Sequence, residues 1–223
     1  MKPTSHTDHI RKVHVIFKTH LDVGFTDTAA NVLRRYVDLY IPRAAALADE
    51  LNRGGRKQFV WTVGSFLIDH YLRCAEPEQC RVLETAIEKG HICWHGMAVT
   101  AHTELMDPRL LDFSLGISER LDRRFHKETT GAKATDVPGH TIGMVPILAK
   151  HGIDYLQIGV NSGSPMPQVP VLFRWQNGSQ DIVVHYAEDY GQALVLDEFD
   201  EAVEYVCTGD NTGPLSREAI LRT

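Results

Sequence analysis

Two short segments carry side chains able to do metal and carboxylate chemistry: His20-Leu21-Asp22-Val23-Gly24-Phe25 and Asp136-Val137-Pro138-Gly139-His140. His20 and Asp22 alternate on the chain, so an extended backbone points both to one face. Neutral imidazole nitrogen and carboxylate oxygen are ordinary zinc donors, and a site with three protein ligands leaves a position open for substrate. Gly24 lets the backbone turn sharply after the pair, and Phe25 offers a ring at the mouth. Asp136 lies among turn formers and also reads as a helix cap; a capping carboxylate at a strand exit can still face a metal. The His6-Thr7-Asp8 triplet repeats the H-x-D pattern and reads as a chance pairing. His102 and Glu104 suit either contact with substrate hydroxyls or a solvated loop. His95 reads as a packed strand residue, and His70, His126 and His151 as surface or helix-end residues.

These side chains need strands that end side by side. Residues 12–19 alternate in strand fashion, with Val13, Val15 and Phe17 opposite His14, Ile16 and Lys18. Asp27 or Thr28 caps a following helix that Pro42 kinks or splits and that Gly54-Gly55 stops. Strands are expected at 58–63, 91–97, 132–135 and 155–160. Helices are expected at 65–73, 77–89, 108–125 and 142–150. This alternation predicts βα units around a parallel sheet or barrel. A β-hairpin follows over 171–186, turning at Asn177-Gly178. The acidic run Asp197, Glu198, Asp200, Glu201 reads as a solvated helix start. Residues 215–221 resemble the opening of a capped helix so near the last residue that a longer protein is expected.

The 223 residues, 43% hydrophobic and 23% charged, suit one globular unit with a substantial core. A polar tail over 1–11 precedes a single unit over 12–223. The net charge of -6 and the lack of a basic block argue against a nucleic-acid partner. No apolar stretch is long enough to span a bilayer, so no membrane role is expected. Cys74, Cys80, Cys93 and Cys207 form no CxxC pair and read as reduced packing residues of a cytoplasmic protein.

The two motifs, in this order and at strand ends, resemble glycoside hydrolase family 38, the α-mannosidase family. The H-x-D-x-G-aromatic pattern is matched by His20, Asp22, Gly24 and Phe25. The later D-P-F-G-H-S segment is matched by Asp136, Gly139 and His140, with Thr141 in place of serine. Phe173, Trp175, Gly178 and His185 resemble a third family segment, so the likeness covers about residues 12–190. It implies a (β/α) barrel of the glycoside hydrolase and deacetylase type, incomplete here. It also implies a zinc-dependent retaining glycosidase acting on a carbohydrate, with His20, Asp22 and Asp136 as zinc ligands. Asp136 would double as the nucleophile and Phe25 would stack on the sugar. Phe25 replaces a usual tryptophan, Val137-Pro138 replaces Pro-Phe, and an arginine expected after the strand at 155–160 is missing. The resemblance places the general acid/base and a fourth ligand, a histidine, beyond residue 223, so this polypeptide alone is expected to be nearly inactive.

Two other readings share these residues. A metal-dependent polysaccharide deacetylase would use the cation to activate water, but a second H-x-x-x-H element is lacking. A non-catalytic glycan-binding remnant would keep the fold without the acid. His-plus-carboxylate sites also accept cobalt or manganese.

Overall fold

The computed structural model describes residues 7–223; His6 of the first H-x-D triplet lies outside them. Strand β1 (Lys12–His20) forms where expected, but its burial rises from the exposed Lys12–His14 end to the buried Phe17–His20 end and does not simply alternate. Phe17 enters an apolar core against helices, while Lys18 and His20 are buried on the opposite face. Thr28 caps helix α1 (Ala29–Arg35) by accepting from the Asn31 N–H at 3.4 Å. The helical path then widens into a π-helical turn, Tyr36–Tyr40, before α2 (Ile41–Leu51). Pro42 lies in the first turn of α2. It lacks the N–H that a continuous helix needs, and the preceding π turn absorbs that interruption instead of a break.

The remaining strands are β2 (Trp61–Gly64), β3 (Ile92–His95), β4 (Gly131–Asp136), β5 (Tyr155–Val160), β6 (Leu172–Asn177), β7 (Gln180–Ala187) and β8 (Glu201–Asp210). They form two four-stranded sheets, ordered β3-β2-β1-β8 and β4-β5-β7-β6. Every pairing is parallel except the β6–β7 hairpin, where Gly178 takes a φ of 62°. The fold is thus α/β with parallel sheets. The sheets meet where Gly96 N–H donates to Gly131 O at 2.9 Å, and among the described residues no continuous ladder closes them into a barrel.

Helices α3 (Ser65–Cys74), α4 (Pro77–Glu88), α5 (Pro108–Phe125), α6 (Met144–Lys150) and α7 (Arg217–Ile220) complete the chain. One core packs Tyr36, Trp61, Leu67 and Ile87; the other packs Leu148, Leu156, Ile158 and Val184. Each such side chain contributes about 1.5–3 kcal/mol by leaving water. Among the described residues no helix is long and apolar enough to cross a membrane.

Two expectations need correction. The acidic run at 197–201 leads into β8, not a helix, because Lys12 pairs with Glu201 and the whole strand aligns beside β1. Cys74 is exposed and the other three cysteines are half-buried, so they are not core packing residues; all four are free.

The faces that the sheets turn toward each other are polar. Lys18 Nζ donates to Gln157 Oε1 at 2.9 Å, and Lys133 Nζ donates to Thr19 O at 2.9 Å. The Tyr155 and Tyr205 hydroxyls lie 2.5 Å apart across the same space.

Candidate active site

The strand exits gather the predicted residues at one end of the sheets. His20 ends β1, Asp136 ends β4, and Asp22 follows His20 in the next loop. His20 is 2% exposed, its Nδ1 lies 2.8 Å from Thr135 Oγ1, and its ring sits 5.1 Å from that of Tyr190. Burial, helped by the Lys133 ammonium, lowers the His20 pKa to about 4 against the pull of Asp136. The imidazole is therefore neutral at pH 7, the form in which a nitrogen can bind a cation.

Asp136 adopts a φ of 82°, a conformation that a residue bearing a Cβ rarely takes. Its Oδ1 accepts from Tyr190 Oη at 2.6 Å and from Asn161 Nδ2 at 3.0 Å. Burial pushes this carboxyl up, but the bonds from Tyr190 and Asn161, with His20 and His102 nearby, hold it below its ordinary value. The result is an ionised, oriented carboxylate.

Two further acids surround it. Burial, then repulsion from Asp136 and Asp210, raises the Asp22 carboxyl. Burial and Asp136 likewise raise Asp210, whose Oδ1 is buried with no hydrogen-bond partner. Asp210 pairs with His20 in the β1–β8 register. The next residue, Asn211, clamps the loop carrying Asp22. Its Nδ2 donates to Asp22 O at 2.6 Å and its Oδ1 accepts from Asp22 N–H at 2.9 Å.

The structure thus brings His20, Asp22 and Asp136 into electrostatic contact around one mouth. It does not draw them tightly together: among the described residues, no group of three His, Cys, Asp or Glu side chains stands close enough to hold a metal ion. Phe25 lies on the turn after Asp22 and is 73% exposed. His102 stands near enough to Asp136 and His140 to influence both. Glu104 approaches Gly139, where an added Cβ would meet its Oε2 at 3.4 Å. His95 is buried, as expected, and His126 caps the end of α5. His151 ends α6 but is held between Asp112, at 2.9 Å, and Glu119, at 2.6 Å. Tyr190, Asn161, Asp210 and Asn211 were not singled out in the sequence. The alternation Val203, Tyr205, Cys207 is the signal that would have revealed β8 and hence Asp210.

The profile described as "Glycosyl hydrolases family 38 N-terminal domain" matches residues 11–207. The chain belongs to glycosyl hydrolase family 38. Family membership accords with the solved structures that share its fold. An α-mannosidase from Enterococcus faecalis V583 superposes with a TM-score of 0.68 at 12% identity, over 95% of this chain and 27% of that one. A protein assigned as a polysaccharide deacetylase from Mycobacterium smegmatis gives 0.56 at 15% identity, over 95% and 82%. A 4-alpha-glucanotransferase from Thermococcus litoralis gives 0.54 at 12% identity, over 79% and 28%. The family 38 chain therefore spans about a quarter of the length of the mannosidase and glucanotransferase. A comparison with curated proteins finds no match.

Proposed function

We propose that this family 38 chain forms the N-terminal part of a zinc-dependent retaining glycosidase acting on terminal α-linked mannose or a related sugar. The observation that carries the reading is Asp136, a carboxylate kept ionised by Tyr190 and Asn161 beside the neutral imidazole of His20. A retaining nucleophile must be unprotonated and fixed in direction. Here two donors on Oδ1 and a strained backbone fix both properties. Attack would join an Asp136 oxygen to the anomeric carbon as the glycosidic bond breaks, with a second carboxyl protonating the departing oxygen.

The donor set suits a divalent cation by its charge. Asp22, Asp136 and Asp210 repel one another, and the unpartnered Asp210 Oδ1 is a buried acceptor in want of a positive charge. His20, Asp22 and Asp136 would hold the zinc. When bound, it would supply positive charge for sugar hydroxyls and for the ionised nucleophile. Donation from His20 Nδ1–H to Thr135 Oγ1 would leave Nε2 free as the donor atom, while Lys133 Nζ, 3.0 Å from the same Oγ1, favours its role as acceptor. Phe25 would contribute its exposed ring to the sugar. The same reading takes the two sheets as sides of one parallel-stranded barrel. The four free cysteines support a cytoplasmic setting.

Calorimetric titration of the chain with Zn²⁺ should show one site, weakened at least tenfold by His20→Ala or Asp22→Asn. In the longer protein, Asp136→Asn should cut turnover of an aryl α-mannoside by orders of magnitude. Unchanged turnover would reject the nucleophile assignment. Acetate release from an acetylated glycan without mannoside cleavage would favour a deacetylase instead.

A further inference from the structure

At the opposite ends of the strands from Asp136 lies a cavity of about 580 Å³ between the two sheets. Its volume falls within the range of small-molecule sites. Its mouth carries Lys57, Lys127 and Glu128, in segments that precede β2 and β4. Deeper, the lining on the face shared with Lys18 includes the apolar side chains of Ile16 and Val60 and the rings of Tyr155 and Tyr205.

The inner end is different. Lys18 and Lys133 both line it, 1% and 7% exposed. Their hydrogen bonds go to Gln157 Oε1, Thr19 O and Thr135 Oγ1, all neutral acceptors. The Lys133 amino group is close enough to disfavour charge on Lys18. Gln157, itself 1% exposed, accepts from Lys18 through Oε1, but its Nε2 is buried with no partner. A buried donor without an acceptor costs about 1–3 kcal/mol. Two amino groups and an idle amide donor therefore converge on one end of an apolar space, with no acidic group among those partners.

We propose that this cavity binds a small organic carboxylate, its head group taken by Lys18, Lys133 and Gln157 Nε2 and its apolar body lying against Ile16, Val60 and Tyr205. A carboxylate has the acceptors these donors lack, and its charge answers the paired lysines. The walls favour an apolar body over an inorganic oxyanion. The cavity opens at the strand ends opposite Asp136, and its inner end abuts the candidate zinc site, because Lys133 Nζ also bonds Thr135 Oγ1, the partner of His20. The carboxylate proposal does not depend on the glycosidase reading.

Benzoate is the probe, with benzamide as its uncharged counterpart and inorganic phosphate as the bare anion. Benzoate added to the purified chain should raise its Tm and shift the amide resonances of Thr62, Trp94 and Gly131. Benzamide and phosphate should each bind at least tenfold more weakly, and Lys133→Met or Gln157→Met should weaken benzoate by roughly tenfold. The ligand comparison needs no variant, so it stands even where a substitution impairs folding. No benzoate binding, equal binding of benzamide or phosphate, or shifts confined to the Asp136–His140 loop would each overturn the proposal.

Discussion

Tyr190 donates its hydroxyl to Asp136 Oδ1 across 2.6 Å, from a loop 54 residues further along the chain. The bond ties the segment after β7 to the exit of β4. It holds a residue whose backbone, at a φ of 82°, costs about 1–3 kcal/mol to maintain. Tyr190→Phe should remove the stronger of two donors from Oδ1, so the Asp136 carboxyl should titrate higher. Carboxyl-carbon NMR with chelator present reads this directly, and an unmoved Asp136 titration would show that Tyr190 does not tune it.

Part of this arrangement was legible in the residues. Helix α5 was expected at its observed bounds because its apolar positions recur at helical spacing, and the structure adds Asp107 as its cap. The hairpin followed from Asn177-Gly178, and His20 and Asp136 from their places after apolar strands. The rest depends on contacts that no local pattern encodes. Asp210 matters because β8 pairs with β1, and the acids at 197–201 disguised the strand that carries it. Tyr190 and Asn161 lie in loops whose composition marks nothing. Lys18 and Lys133 run against the expectation that lysine stays in water, and only their packing between two sheets places them inside.

Asp210 should make the metal-free chain sensitive to pH. A carboxyl raised in the folded state binds more protons there than in the unfolded chain, so its penalty is absent below the ordinary value of 3.8. The penalty grows as pH rises through the elevated folded value and is complete above it. Asp210→Asn should therefore raise the urea midpoint at pH 7 in the presence of chelator, and should leave it nearly unchanged below pH 3.8. An equal gain at both pH values would assign the effect to packing.

Asn211 combines a φ of 51° with bonds to Asp22 and Thr26. Asn211→Gly keeps the left-handed backbone accessible but deletes the side-chain clamp, and should cost about 1–3 kcal/mol in urea unfolding. Asn211→Ala should cost about 1 kcal/mol more, because alanine resists that conformation. If both variants match the parent, the clamp does not hold the Asp22 loop.

Two glycines let the loop bearing Tyr190 lie close against its neighbours. A Cβ on Gly159 would strike Asp189 O, and one on Gly191 would strike Tyr205 O. Both obstacles are backbone, which cannot swing aside as a side chain does. Gly159→Ala and Gly191→Ala should each destabilise by about 1–3 kcal/mol. Both should also loosen Tyr190 from Asp136, raising the carboxyl titration in the same direction as Tyr190→Phe. Stability loss without that titration shift would separate loop packing from control of the carboxylate.

Lys18 offers the clearest pH signature away from the acids. Burial first, then the neighbouring Lys133, lowers its pKa from 10.5 to about 6. Below pH 6 the group is charged in both folded and unfolded chains, and the full cost of burying that charge is present. From pH 6 to 10.5 the unfolded chain keeps a proton that the folded chain has released. Stability attributable to Lys18 therefore rises with pH across that window, by at most about 1.4 kcal/mol per pH unit. Lys18→Met abolishes the titration while filling much of the same space. Urea unfolding at pH 6.5, 7.5 and 8.5 should give a parent whose stability gains on the variant at each step. Parallel curves would mean that Lys18 stays charged in the folded protein, with an anion or solvent supplying what burial removes.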